Sequence, residues 1–302
     1  MRLAALCFGL LLLLTFSSPF QSGASNQDPQ TEDVRGAFLT SRPQTSAKPT
    51  TTSAPSNRRR RPVPAATPIP KPTPTPTQRQ KVDPPETVGR VSGQRLGLGL
   101  TLFIKDSNGL AVRVDPAHEF HAGDMVRFLL ETNADGFLYI FNTTDGGAPV
   151  MIYPDPWLDE AGNFIQAHVP FEIPSSVPAE GAPDWIKFDQ SSGTERVYFV
   201  FSREPLAGVP IEDDLIKACP VKKAPCFWPP AAELWSRVQK EMEAPLRVDA
   251  ATKSSGRQSD AEHNAVTRGI GLAKADPEPA LVMMSASSVS GMLAAKVDLI
   301  HR

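Results

Sequence analysis

The sequence predicts a mainly β protein: an antiparallel β-sandwich with one inserted α-helix, behind a disordered Pro-rich linker. Short apolar segments with alternating patterns recur from Leu96 onward, and turn residues separate them. Twelve prolines lie between Ser41 and Glu86, where there is too little apolar surface to offset the entropy of ordering. Two packed sheets fit the number of short strands best, and a partly open barrel is the alternative.

Residues 1–24 have the three parts of a secretory signal peptide. Arg2 gives a basic start, an apolar stretch follows from Leu3 to Phe16, and Ala24 with Ser22 fits a cleavage site. The apolar stretch is shorter than the roughly 20 residues that a membrane-spanning helix needs. We therefore expect export by the general secretory route to the periplasm or the extracellular space, with no membrane span after cleavage. An uncleaved N-terminal helix that anchors the chain is the alternative.

Residues 25–86 are predicted to be a disordered spacer rich in proline, threonine and arginine. At roughly 3.1 Å per residue in polyproline II form, its part from residue 41 to 86 would span at most about 140 Å and hold a domain away from a surface. That part has a net charge of +7. The run Arg58, Arg59, Arg60 and Arg61 can contact anionic lipid or wall polymers electrostatically, or simply keep the linker extended and solvated.

The β-rich domain is predicted to span residues 87–302, which carry a net charge of −8. An acidic domain disfavours nucleic acid as a partner. Its first strand alternates Leu98, Leu100, Leu102 and Ile104 with smaller or polar residues. The further predicted strands are Ala111–Val114, Met125–Thr132, Phe137–Asn142, Val150–Tyr153, His168–Ile173, Trp185–Phe188, Arg196–Ser202, Ala280–Met284 and Met292–Ile300.

Two details of topology follow from these segments. The turn residues from Asn133 to Gly136 favour a hairpin between the strands on either side, with Val150–Tyr153 as the third strand of a meander. The segment Val197–Phe201 is apolar on both faces, which is typical of a strand that is covered on both sides.

A helix and loop insertion is predicted at about residues 210–266. Its helix begins after Pro229 and Pro230, and Leu234, Val238 and Met242 recur at four-residue spacing. We expect this apolar stripe to pack on a sheet, and the polar residues 247–266 to form a loop.

The mature chain contains only two cysteines, Cys219 and Cys226, and we predict that they form a disulfide. Closing so short a loop stabilises a fold by roughly 2.5 kcal/mol in the chain-entropy account. Two free thiols are the alternative, and a zinc site would require more Cys or His ligands nearby.

Sequence signatures of catalysis are missing, so we predict no enzyme, cofactor or metal. There is no Gly-x-Ser-x-Gly motif, and Gly97 and Gly99 lie within a strand that no helix follows. His118 and His121 precede a strand in a turn, and the acidic loop 155–163 lacks the spacing of a calcium loop. Trp157, Trp185 and Trp228 can form a partner surface, although packing in the core or at its rim is the alternative.

The order of five segments resembles the bacterial domain of unknown function 4384, over about residues 96–207. These segments are Phe120–Phe128, Asp135–Phe141, Tyr153–Pro154, Phe171–Pro174 and Gly193–Ser202. Residues 267–270 and 297–302 are similar to the ending of envelope members. Family members often accompany kinase, caspase-like or repeat domains, which implies a sensing, adaptor or interaction module, and the family offers no established catalytic residues. This chain departs from it by its cysteine loop, its inserted helix and the lack of such a companion.

Three functions are therefore open. The first is an exported, non-catalytic binding or scaffolding module for a protein or glycan partner in the cell envelope or the extracellular space. The second is a structural tether whose basic linker associates with anionic wall or outer-membrane polymers. The third is an unrecognised hydrolase, which would need a cleft with a convergent carboxylate or histidine pair.

Overall fold

Two β-sheets packed face to face form the fold, so the predicted mainly β sandwich is confirmed. The computed structural model describes residues 33–45, 94–158, 162–219, 224–251, 255–288 and 291–302. The signal peptide, most of the predicted spacer and the run Arg58–Arg61 lie outside the described residues. The described residues from Val34 to Arg302 belong to one compact unit.

The first sheet has seven antiparallel strands in the order β11-β12-β1-β4-β8, with β2 paired to β1 and β9 paired to β4. Numbered in chain order, its strands are β1 (Gly97–Lys105), β2 (Ala111–Val114), β4 (Met125–Thr132), β8 (Phe171–Ile173), β9 (Ile186–Lys187), β11 (Leu246–Ala250) and β12 (Leu281–Ser285).

The second sheet has six strands in the order β3-β13-β10-β5-β6, with β7 paired to β5. Its strands are β3 (Glu119–Phe120), β5 (Gly136–Thr144), β6 (Val150–Tyr153), β7 (Phe164–Ile165), β10 (Gly193–Ser202) and β13 (Met292–His301). Only β3 and β13 are parallel among the described pairs of this sheet. The last strand pairs with β10 over its whole length, from Met292 to His301, so the C-terminus is part of the sheet.

The main core lies between the two sheets and is built by alternating side chains. Leu98, Leu100 and Leu102 of β1 are buried there together with Val197 and Phe199 of β10. Burying each such side chain contributes about 1.5–3 kcal/mol. The intervening residues of β10 point to the opposite face, under the helices, which agrees with the two-sided apolar pattern of that strand.

In the described parts of the chain, four helices cover the outer faces of the sandwich: α1 (Val34–Thr40), α2 (Glu212–Ala218), α3 (Ala232–Met242) and α4 (Asp260–Arg268). The predicted apolar stripe of α3 is confirmed, because Leu234 and Val238 are buried. Val238 of α3 and Leu215 of α2 pack on the outer face of the six-stranded sheet. The helices α1 and α4 pack on the outer face of the seven-stranded sheet.

The expectation of a wholly disordered spacer over residues 25–86 is wrong at its N-terminal side. Val34–Thr40 form a helix within it, and Phe38 is fully buried against Val282 and Met284 of β12. The partners that fix this helix lie near the other end of the chain, so no local pattern in the sequence reveals them.

The expectation of a loop over residues 247–266, and of one inserted helix, is also incomplete. Most of β11 and α4 lie in that range. The start of α4 has a capping box, in which the Ser259 side chain accepts from the Glu262 backbone N–H and Glu262 accepts from the Ser259 backbone N–H. Gly269 ends the helix in the left-handed conformation, with φ 61°.

The hairpin expected at residues 133–136 is wrong as well, because β4 and β5 lie in different sheets. Asn133 is tied to the start of β1 instead. Its Oδ1 accepts the Gly97 N–H at 2.7 Å, and its Nδ2 donates to the Arg95 carbonyl oxygen at 2.8 Å. The segment therefore carries the chain across the sandwich.

The predicted disulfide between Cys219 and Cys226 is confirmed, with the two Cα atoms 5.5 Å apart. Among the helices that the structure describes, none has the length and apolar character required to cross a membrane.

Candidate functional site

The outer face of the seven-stranded sheet carries a layer of buried charged side chains beneath α1 and α4. Three glutamates of this layer are almost inaccessible to solvent, and each has an arginine partner. The pairs are Glu131 with Arg42, Glu262 with Arg113, and Glu172 with Arg127, the last at 4.0 Å. Buried carboxylates require such partners, because an isolated buried charge is strongly unfavourable.

Arg42 has an acceptor for every N–H of its guanidinium group. Nε and Nη2 donate to the two carboxylate oxygens of Glu131 at 2.8 and 2.6 Å. The remaining bonds go to the carbonyl oxygens of Ala273, Asp276 and Pro277 at 3.0–3.2 Å. Two-pronged pairs of this kind are among the strongest hydrogen-bonded contacts in proteins. The arginine thereby connects the N-terminal segment with β4 and with the chain that precedes β12.

His168 lies between Glu131 and Ser41. Its Nδ1 is 2.7 Å from Glu131 Oε1, and its Nε2 is 2.7 Å from Ser41 Oγ. The backbone of His168 has a φ of 58°, which is unusual for a residue other than glycine. Hydrogen bonds to the Thr132 carbonyl oxygen and from the Leu272 N–H hold it in that conformation.

The row Ser41, His168 and Glu131 has the order of contacts found in serine nucleophile sites. Two features separate it from such a site. The Ser41 hydroxyl is also 2.9 Å from the Phe38 carbonyl oxygen, and a single hydroxyl hydrogen serves only one acceptor. Glu131 is neutralised by Arg42, which reduces its ability to stabilise a charged imidazole. This arrangement is best suited to fixing the N-terminal segment in place.

The space beside this row is small. A cavity of about 10 Å³ lies among Thr101, Glu131, Leu272 and Glu262. A cavity of that size holds at most one water molecule. It has no room for a substrate.

Two glycines of β1 make room for the N-terminal segment and its neighbours. A Cβ atom at Gly97 would lie 2.8 Å from Phe38 Cδ2, and one at Gly99 would lie 2.4 Å from Pro279 Cγ. These glycines therefore allow close packing on the sheet.

Arg35 makes a fourth attachment of the N-terminal segment, through Nε to Asp249 at 2.9 Å and through Nη1 to the Pro279 carbonyl oxygen at 2.6 Å. We refer to Arg35, Phe38, Ser41 and Arg42 together as the clasp. The clasp makes residues 34–42 part of the sandwich.

A different surface, at the edge of the six-stranded sheet, exposes aromatic side chains. Phe164 of β7 is 54% exposed and Phe227 is 59% exposed. The half-buried Trp157 lies in a 3-10 turn directly after β6, and the backbone of half-buried Trp228 pairs with Met151 of β6. Trp157, Phe164, Phe227 and Trp228 are called the aromatic edge below.

Asp155 holds two parts of the aromatic edge together. Its carboxylate accepts the Trp157 N–H at 2.8 Å and the Cys226 N–H at 2.9 Å. Burial raises the pKa of the Asp155 carboxyl, and these two hydrogen bonds oppose that rise. The disulfide and Asp155 together fix the loop that carries Phe227 and Trp228.

The structure does not bring the three predicted tryptophans together on one surface. Trp157 and Trp228 belong to the aromatic edge, but Trp185 is 9% exposed and packs outside the other sheet with Phe103 and Leu129. The Arg127 guanidinium lies 4.0 Å from the centre of the Trp185 ring, so this tryptophan contributes to packing.

Sequence reasoning missed the clasp and the exposed phenylalanines. Phe164 and Phe227 follow loop residues, and single apolar residues in such positions are common on protein surfaces. In the part of the chain that the structure describes, no group of three or more His, Cys, Asp or Glu side chains is placed to hold a metal ion.

Comparison with known protein families gives a match to part of this chain. The family described as Domain of unknown function (DUF4384) matches residues 119–205, which run from β3 to just beyond β10. The predicted resemblance is confirmed over that range. The match leaves out β1, the clasp, the disulfide and the last three strands. No curated protein and no solved structure matches the chain.

Proposed function

We propose that this chain, with its DUF4384 segment inside the sandwich, is an exported, non-catalytic binding or scaffolding module that contacts a protein or glycan partner through the aromatic edge. The observation that carries this proposal is the exposure of Phe164 and Phe227 at the edge of the six-stranded sheet that also carries the half-buried Trp157 and Trp228. Exposed aromatic side chains are unfavourable in water and are typical of an interaction site.

The rigid mounting of the aromatic edge supports the same proposal. Asp155 and the Cys219–Cys226 disulfide hold the two loops on which Trp157 and Phe227 lie. Rings that are fixed before binding lose little conformational entropy when a partner arrives. Flat, rigid rings are suited to stacking on sugar rings and to packing on apolar protein surfaces.

Export is supported by the signal-like N-terminus and by the disulfide. Disulfides persist in oxidising compartments and are rare in the cytosol of most organisms. We therefore place the protein in the periplasm or outside the cell.

The clasp changes the role that the proline-rich segment can have. Residues 46–93 are joined to the sandwich at both ends, so they do not separate the sandwich from the N-terminus. After cleavage following Ala24, only residues 25–33 precede the clasp, and they reach at most about 30 Å. The proposed binding module therefore has no long proline-rich stalk between its N-terminus and the sandwich.

Affinity capture tests the proposal with the mature chain, residues 25–302, as bait for envelope extract. We expect one protein or glycan to be retained at high salt, and the double variant F164A/F227A to lose most of it. The control is V177A, which removes another exposed apolar side chain from a different loop. Equal retention by all three baits would show that the aromatic edge is not the binding surface.

The second candidate function is a tether to anionic polymers, and the charge of +7 on residues 41–86 favours it. Replacing Arg58 to Arg61 with glutamine should then abolish retention on wall or outer-membrane polymers, and high salt should do the same to the parent chain. Retention that persists after both changes rules this candidate out.

The third candidate is a serine hydrolase, favoured by the row of Ser41, His168 and Glu131. A fluorophosphonate probe should label Ser41 if the row activates the hydroxyl, and S41A and H168Q should then abolish labelling. Our proposal of a non-catalytic module predicts no labelling of the parent chain.

A further inference from the structure

The strand β11 lies at one border of the seven-stranded sheet, next to β12. Two hydrogen bonds at the ends of this strand pair show which backbone groups of β11 face β12. The Ala251 N–H donates to the Ala280 carbonyl oxygen at 2.8 Å, and the Ala286 N–H donates to the Pro245 carbonyl oxygen at 3.0 Å. Hydrogen-bonded pairs alternate with non-bonded pairs in an antiparallel ladder. The odd-numbered residues of β11 therefore bond to β12, and the even-numbered residues do not.

The even-numbered residues of β11 point their backbone N–H and C=O groups away from the sheet. These residues are Leu246, Val248 and Ala250. Within the described ranges of the chain, no strand pairs with this side of β11. Val248 adds an apolar side chain, which is 54% exposed at the rim of the main core beside Met283. A border with unpaired backbone groups and an exposed apolar side chain is suited to binding a further strand.

The charged residues of β11 favour a second copy of the same strand as the occupant. Arg247 and Asp249 flank Val248 and lie on the opposite face of the strand. If two β11 strands pair antiparallel about Val248, Arg247 lies opposite Asp249 of the other copy, and two-fold symmetry repeats this contact. A shift by two residues in either direction instead places two arginines or two aspartates opposite each other. The strand is therefore complementary to itself in one register.

The Asp249 carboxylate can bind two arginines at once. Its contacts with Arg35 of the same copy both use Oδ1, at 2.9 Å, and its side chain is 37% exposed. A carboxylate has two oxygens with about four acceptor positions. The contact with Arg35 is therefore compatible with a second contact from Arg247 of another copy.

We propose that two copies of this chain associate through β11, so that their seven-stranded sheets become continuous across a two-fold axis at Val248. The Val248 N–H of each copy then donates to the Val248 carbonyl oxygen of the other, and Leu246 forms the same kind of pair with Ala250 of the other copy. The two Val248 side chains lie side by side on one face, and the two ion pairs between Arg247 and Asp249 lie on the other. This inference goes beyond the proposed function and does not use the aromatic edge.

Sedimentation equilibrium of the mature chain, residues 25–302, tests the association. We expect the average mass to rise toward that of two copies between about 1 µM and about 1 mM, which is the range of moderate to weak complexes. V248P should remain a single copy throughout. Its far-UV circular dichroism should match that of the parent chain, because the lost N–H points away from β12 and proline is tolerated at such positions of border strands. A parent chain that is a single copy at about 1 mM, or a V248P chain that associates like the parent, would overturn the proposal.

Cysteine crosslinking tests the position of the two-fold axis. In a hydrogen-bonded pair of residues the Cα atoms are about 5.5 Å apart, within the range that a disulfide spans. V248C should therefore form a covalent dimer on mild oxidation. A250C is the matched control, because Ala250 is exposed on the same side of the same strand, but its Cα atoms in the two copies would be about 14 Å apart. Equal yields of covalent dimer from the two variants would contradict the proposed register.

Charge reversal gives an independent readout. R247D and D249R each place like charges opposite each other in both contacts, whereas a mixed pair of the two chains has two contacts of opposite charge. We expect each variant alone to associate roughly tenfold more weakly than the parent, and the mixture to regain the association of the parent. Circular dichroism of each chain before mixing checks its folding, since D249R also loses the contact with Arg35.

Two outcomes of these measurements would count against the pairing of copies. The first is a mixture of R247D and D249R that associates no more strongly than either variant alone. The second is a parent chain that stays a single copy but retains a different protein from envelope extract, with retention abolished in V248P. That result would give β11 another occupant and overturn the proposal.

Discussion

Arg42 and Glu131 form a two-pronged ion pair in which the side chains are 0% and 3% exposed, although 89 residues separate them in the sequence. The pair connects the segment that follows α1 with β4 of the seven-stranded sheet. Glu131 also accepts a hydrogen bond from His168. If Arg42 or Glu131 were removed, the other residue of the pair would remain as a buried charge without its ion-pair partner.

Removing Arg42 should therefore destabilise the protein strongly. We expect R42A to reduce the free energy of unfolding by about 3–5 kcal/mol, as is usual when one member of a buried ion pair is removed. R196A is the control, because the Arg196–Asp298 pair is 34% and 41% exposed and should contribute only about 0–1 kcal/mol. Denaturant titration measures both. Similar losses for the two variants would show that Arg42 is not buried with its partner.

Gly99 should tolerate no side chain. In G99A the new Cβ would meet Pro279 at 2.4 Å, and we expect a loss of about 1–3 kcal/mol from overpacking. G162A provides a matched control, since a Cβ there has no neighbour within 4 Å. Thermal unfolding of the two variants compares them. An unchanged melting temperature for G99A would mean that the chain before β12 does not pack against β1 as described.

Truncation should separate the clasp from the proline-rich segment. A chain that begins at residue 46 loses the burial of Phe38 and the partner of Glu131, and we expect a loss of about 3–5 kcal/mol. Deleting residues 52–86 instead leaves the clasp and should preserve stability. Circular dichroism during denaturation measures both, and equal stability of the two truncated chains would refute the role of the clasp. A chain of residues 87–302, the predicted β-rich domain, also lacks the clasp and should be destabilised in the same way.

The stability contributions of Asp155 and Asp298 should have opposite pH dependence. Burial raises the pKa of Asp155, so the folded state binds its proton more tightly, and its contribution declines as the pH rises from 3.8 through the raised pKa. The hydrogen bond from Arg196 lowers the pKa of Asp298, whose contribution is present above pH 3.8 and is lost as the pH falls through the lowered pKa.

The measurement is the difference in unfolding free energy between the parent chain and D155N, and between the parent chain and D298N, from acid to neutral pH. We expect the first difference to decrease with rising pH and the second to increase. Parallel curves would contradict the burial of Asp155.

Local patterns in the sequence are enough to predict most of the sandwich. The alternation of Val126, Phe128 and Leu130 predicts β4 with its observed bounds, and the two-sided apolar run at Val197–Phe201 predicts a strand covered on both faces. These patterns are informative because period-two burial is a property of the strand itself.

The clasp could not be predicted in the same way. Arg35 and Phe38 lie in a helix of only seven residues, and the partners that stabilise it are far away in the sequence. The helix α4 could have been found, because Ser259 and Glu262 form a capping box and Gly269 ends the helix. At the aromatic edge, Trp157 and Trp228 could be chosen as large aromatic residues, but exposure of Phe164 depends on packing that sequence does not encode locally.

Amide hydrogen exchange of residues 38–42 in the mature chain tests the docking of the N-terminal segment most directly. The attachment of residues 46–93 to the sandwich at both ends depends on this docking. We predict that these amides are protected nearly as strongly as those of β1 in the parent chain, and that R42A releases them. Exchange at the rate of an unfolded peptide in the parent chain, with β1 still protected, would contradict the account.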